Sequence, residues 1–93
     1  MPKVKNIEKK IFKVEHFNVQ IRSNGRDANS NTRINPQYPF KRKASRNITV
    51  NRWKTNRFRF LYSGFDVAVL DVNRNECRGN TRLQAVRESY DGQ

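Results

Sequence analysis

The sequence predicts an α+β fold: one small domain with a mostly antiparallel sheet of three to four strands, packed by one or two helices. Three observations carry this. The chain has 93 residues, enough for one modest core, so 1–93 reads as a single domain. Stretches of period-two apolar alternation sit beside stretches that carry helix caps. Apolar residues make up only 34% of the chain, but aromatics reach 11%, and each buries a large area.

The first segment, Ile11–Ser23, reads as a strand. Phe12 and Val14 share one face, while Phe17, Val19 and Ile21 share the other. The phase changes across Glu15-His16, which predicts a bulge or bend there. Val4, Ile7, Ile11 and Val14 also fit a helix. The strand is preferred from about Ile11 because β-branched and aromatic residues dominate. Asn24-Gly25 is a hairpin-type turn signal.

Residues 23–47 have no apolar period and form a long, polar, basic loop that is expected to be mobile. They could carry one short strand near Arg33–Ile34. Residues 49–62 admit two readings. In the preferred one Thr49 caps a helix and Gly64 supplies its left-handed stop. Val50, Trp53, Phe60 and Leu61 then face the core, with Arg52, Asn56 and Arg59 outside at i, i+4 and i+7. Arg57 falls awkwardly inside the apolar stripe. In the strand reading, Phe58, Phe60 and Tyr62 face one way, Arg57 and Arg59 the other, and Ser63-Gly64 is a hairpin turn.

Phe65–Val72 is the clearest strand. It is apolar on both faces and is expected in the middle of the sheet. Cys77-Arg78-Gly79 would be a short return strand. Thr81 with Gln84 makes a capping box that opens a helix to Tyr90. Leu83, Val86 and Tyr90 form its apolar stripe, Ala85 can join them, and Gly92 can end it.

Most chemistry is excluded by what is missing. Cys77 is the only cysteine and His16 the only histidine, so neither an intramolecular disulfide nor a zinc spacing exists. Cys77 is expected as a small buried strand residue and His16 as a half-buried one. Asp71, Asn73 and Asn75 imitate the start of a calcium loop, but Glu76 stands where glycine is needed and Arg82 where a glutamate is needed. No glycine-rich phosphate loop, catalytic triad or paired carboxylates can be assembled. No cofactor and no metal is expected. The N-terminus lacks the apolar core of a signal peptide, and no stretch is long enough to cross a bilayer, so a cytoplasmic location is expected.

Charge is the informative feature. The chain carries 20 Lys or Arg against 8 Asp or Glu, a net charge of +12. From Ala28 to Phe65 it holds nine basic residues and no acidic one. Such segregation builds a local positive field that attracts polyanions. The expected contact set is Lys41, Arg42, Lys43, Arg46, Arg52, Lys54, Asn56, Arg57 and Arg59. The loop cations would clamp phosphates, and Arg52, Asn56 and Arg59 would lie along a groove or backbone. The partner is expected to be DNA or RNA. The alternative is an acidic protein surface, as for a phage or mobile-element accessory protein acting on a host nucleic-acid machine. A third reading, a metal-independent ribonuclease, would use these cations with Tyr38, Tyr62, Tyr90 and His16.

Overall fold

The computed structural model describes residues 2–29, 31–34 and 37–91. They form an α+β domain with a three-stranded antiparallel sheet and three helices.

The chain opens with a helix, α1 (Val4–Glu15). Val4, Ile7, Ile11 and Val14 all lie on its buried face, the spacing an α-helix needs. The strand expected from Ile11 is therefore displaced. A stripe of 3.6-residue period, continued over three turns, outweighs the β propensity of the individual residues. The phase change across Glu15-His16 marks the end of this helix, not a bulge. His16 takes the left-handed conformation (φ 67°) as C-cap, and its N–H bonds the Phe12 carbonyl at 2.9 Å. That leaves the His16 side chain exposed, where half-burial in a strand was expected.

Strand β1 (Asn18–Ser23) follows, and Asn24 and Gly25 turn it into β2 (Arg26–Asp27). Both turn residues have positive φ, 54° and 79°, as a two-residue type I′ hairpin requires. Strand β3 (Asp66–Leu70) pairs with β1 along its whole length, from Asn18↔Leu70 to Arg22↔Asp66. The order is β2-β1-β3, so β1 holds the centre and β3 an edge. The two-sided apolar character of β3 misled on this point. Val67, Ala68, Val69 and Leu70 are indeed all buried, but packing over both faces does not require a strand on both sides. The free edge of β3 is partly closed by the returning chain, through Cys77 N–H to the Val69 carbonyl at 2.8 Å and an isolated Leu70↔Glu76 bridge. Cys77 is half-buried beside this edge, outside any named strand.

β2 is too short to satisfy all of β1. The Ala28 amide bonds the Ile21 carbonyl, and the Glu8 carboxylate of α1 accepts from the Ile21 N–H, each at 2.8 Å. A helix side chain thus stands in for a missing strand neighbour.

The segment 23–47 begins inside β1 and contains β2. Beyond them, Arg33 bridges Lys3, and Ile34, Tyr38 and Ala44 are buried in the core.

Helix α2 (Val50–Trp53) starts as expected, with Thr49 Oγ1 accepting from the Arg52 amide at 3.3 Å. It then widens into a π-helical segment, Lys54–Arg59. One turn of i→i+5 winding delays the apolar stripe by a residue. Phe58 and Tyr62 are buried, while Phe60 is 65% exposed and Leu61 half-buried. The expected inward placement of Phe60 fails for this reason. The same shift moves Arg57 off the apolar stripe. Gly64 does have positive φ (90°), but it serves the turn into β3 and not the end of the helix.

Helix α3 (Leu83–Asp91) packs through Leu83 and Val86, with Tyr90 half-buried. Ala85 faces solvent. Its first amides are capped by main chain: Leu83 N–H bonds Ile48 O at 2.9 Å and Gln84 N–H bonds Arg46 O at 3.0 Å. These bonds take the place of the expected capping box. Gly92 lies outside the described residues. The core joins α1, the inner face of the sheet, Trp53, Phe58 and α3, with Phe17 and Trp53 in edge contact at 5.1 Å between ring centroids.

Candidate nucleic-acid interface

The basic residues divide between the interior and the surface. Glu15, at the end of α1, is fully buried, with 0% exposure. Its Oε1 accepts from the Ala44 amide at 2.8 Å and from Arg87 Nη2 at 3.0 Å. Its Oε2 accepts from Tyr38 Oη at 2.6 Å and from Arg57 Nη1 at 2.7 Å. Both oxygens are thus saturated, as a carboxylate removed from water requires. Arg87 also donates from Nε to the Glu15 carbonyl at 2.7 Å and from Nη1 to the Ala44 carbonyl at 2.9 Å. Arg57 also bonds the Arg42 carbonyl at 2.6 Å and lies 4.3 Å above the Phe40 ring. Burial draws the Arg87 guanidinium below its usual basicity, and the Glu15 charge opposes that shift.

Two residues of the expected contact set lie in or beside this hub. Arg57 is spent on Glu15. Lys54, on the inner side of the same segment, is buried. Arg52 and Asn56 are exposed. Arg59 is exposed too but lies 3.8 Å from Asp66. An i, i+4, i+7 line assumes α winding throughout, and the π segment breaks it.

The loop cations are brought together with His16 and with two lysines that the sequence did not single out. Lys41, Arg42 and Lys43 line an open cleft of about 600 Å³ whose other wall is the last turns of α1, with Lys10, Lys13 and His16. The lining contains no carboxylate. Among the described residues, no carboxylate lies within ion-pair distance of these five cations. Arg46 lines an adjoining cleft that shares Lys43 and also holds Glu88 and Asp91. Lys10, Lys13 and His16 recur every third residue. Only a helical reading of α1 puts them on one side, so the strand reading hid them.

The hub fixes one wall of this cleft against the other. Tyr38 and Ala44, which flank Lys41–Lys43, are both bonded to the residue that ends α1. Of the histidine and tyrosines of the ribonuclease reading, His16 lines this cleft and the three tyrosines do not. Tyr38 and Tyr62 are buried, and burial pushes both phenols well above their usual pKa. The Tyr90 hydroxyl bridges the ends of β1 and β3, accepting from Asn18 N–H and donating to the Leu70 carbonyl.

No group of three or more His, Cys, Asp or Glu side chains that could hold a metal ion occurs among the described residues. Among them, no helix is long and apolar enough to cross a membrane. Comparison of the chain with protein-family models, curated proteins and solved structures finds no match.

Proposed function

We propose that this protein binds nucleic acid through its phosphate backbone, with the cleft between α1 and Lys41–Lys43 as the main contact. The observation that carries the reading is the cleft itself: Lys10, Lys13, Lys41, Arg42 and Lys43 converge around one concave surface, and no carboxylate answers them. Like charges held this close repel each other, and a polyanion relieves that cost. Lysines act here as point charges on phosphate, which gives affinity and position without reading bases. Arg46, Arg52 and Asn56, all exposed, extend the contact beyond the cleft. Binding is the reading preferred over nucleolytic cleavage, because the Tyr38 and Tyr62 hydroxyls lie in the interior, away from any phosphate in the cleft.

Binding of labelled DNA and RNA oligomers as a function of salt tests this. The logarithm of the affinity should fall linearly and steeply with the logarithm of salt concentration. Replacing Lys10, Lys13, Lys41 and Lys43 together by Gln should flatten the slope by roughly one for each phosphate that is no longer neutralised. Absence of binding near physiological salt would refute the reading. So would a protein partner captured from cells whose binding persists after nuclease treatment and competes for the same four lysines.

A further inference from the structure

An exposed aromatic ring lies next to the basic cleft. Phe12, one turn before His16 on α1, is 43% exposed. With Lys13, His16 and Lys43 it lines a second cleft of about 410 Å³, and those three cationic or ionisable residues are shared with the first. On its other side Phe12 lines a third cleft with Lys5, Lys9 and Arg74. Cations therefore stand on both sides of one exposed ring. Tyr90 meets Phe12 at 6.1 Å between centroids and 72° between planes. This T-shaped contact supports the ring without stacking a second ring on it. Tyr90 is itself held by its two hydrogen bonds to Asn18 and Leu70, so the support is rigid.

A duplex presents its phosphates outside and its bases stacked within, where an aromatic side chain on a convex helix does not reach them. A single strand presents both at once, and its bases stack on exposed aromatics beside phosphate-binding cations. We infer that the ligand of this cleft is single-stranded nucleic acid and that Phe12 is the platform for one of its bases. This rests on the polyanion reading above and narrows it. Asp91 also lines the second cleft, and its charge opposes a phosphate there. Glu8, in the third cleft, is already committed to the Ile21 amide.

The test uses the full chain with a labelled single-stranded oligomer, a hairpin duplex of matching composition and inorganic polyphosphate, all at one salt concentration. The single strand should bind more tightly than the duplex. Phe12→Ala should weaken single-strand binding by roughly five- to a hundredfold, the range seen when one stacked base loses its ring. It should leave polyphosphate binding and the salt slope unchanged. Phe12→Trp should keep the affinity, and Phe12→Leu should not. Phe60→Ala removes another exposed ring, one outside these three clefts, and should have no effect. Asp91→Asn should tighten binding of all three ligands. If the polyanions bind with a steep salt slope but Phe12→Ala changes nothing, or the duplex binds as well as the single strand, the inference falls while the phosphate-binding reading stands. If no polyanion binds, both fall.

Discussion

The Glu15 hub and the Lys41–Lys43 cleft are built from the same kind of residue and lie on either side of one loop, yet their electrostatics are opposite. In the hub, two arginines meet a carboxylate with every oxygen lone-pair direction claimed. In the cleft, five cations face one another across water. The first arrangement makes its charges part of the fold, and removing the carboxylate leaves two guanidiniums without their counter-charge. The second leaves its charges to solvent, where each contributes little to stability and remains available to a ligand. A positive residue in this chain is thus held in the interior or left to solvent according to whether a buried carboxylate reaches it, and composition alone does not separate the two.

The sharpest way to break the hub is Glu15→Ala. It strands Arg87 and Arg57 together with the Ala44 amide, and should cost about 3–5 kcal/mol, a large share of the stability of a domain this size. Urea or thermal unfolding measures it. A destabilisation below about 1 kcal/mol, the range of exposed pairs, would show that the hub is solvated in solution.

Cutting one cation from each region makes the contrast directly. Arg57→Met should destabilise by about 1–3 kcal/mol, because Glu15 keeps a single charged partner. Lys43→Met should change stability by no more than about 0.5 kcal/mol while weakening oligomer binding. Equal unfolding effects from the two would erase the distinction.

The smallest effect concerns Glu8. Burial raises its carboxyl above the ordinary 4.5, opposed by the Ile21 amide, with Asp27 adding to the rise and Arg74 opposing it. A group that holds its proton longer in the folded chain contributes most below its unfolded pKa. That contribution is lost as pH rises through the folded value. The stability of the natural chain relative to Glu8→Gln should therefore fall as pH rises from 4.5 and level off once Glu8 is ionised in the fold. Unfolding of both proteins between about pH 3.5 and about pH 7.5, a window that brackets ordinary and raised carboxyl values, reads this out. A rising difference would reverse the sign of the shift.

Much of the fold was legible wherever a local rule acted alone. Asn24-Gly25 forms the turn its chemistry demands, Thr49 caps its helix, Leu83 and Val86 pack, and Trp53 is fully buried. The failures share a cause: a tertiary partner overrode the local signal. Ile11–Glu15 joined a helix because the core rewards the Val4–Val14 stripe, although its residues favour strands. The π segment moved Phe60 outward and Arg57 toward Glu15, a partner 42 residues away that no spacing could reveal. Of the basic cleft, the loop wall could be read in the sequence. Its second wall could not, because Lys10, Lys13 and His16 converge only once α1 is known to be a helix.

The separations within the hub have a consequence for the order of folding. Glu15 meets Tyr38, Ala44, Arg57 and Arg87 across 23, 29, 42 and 72 residues. Closing loops of that length costs chain entropy before any bond forms, while α1 and the β1–β2 hairpin can form from near neighbours. The hub should therefore assemble after the rate-limiting barrier. Breaking it would then speed unfolding and leave the folding rate almost untouched. In that role Glu15 acts as a latch: it has little part in finding the native topology and sets how long the chain stays there.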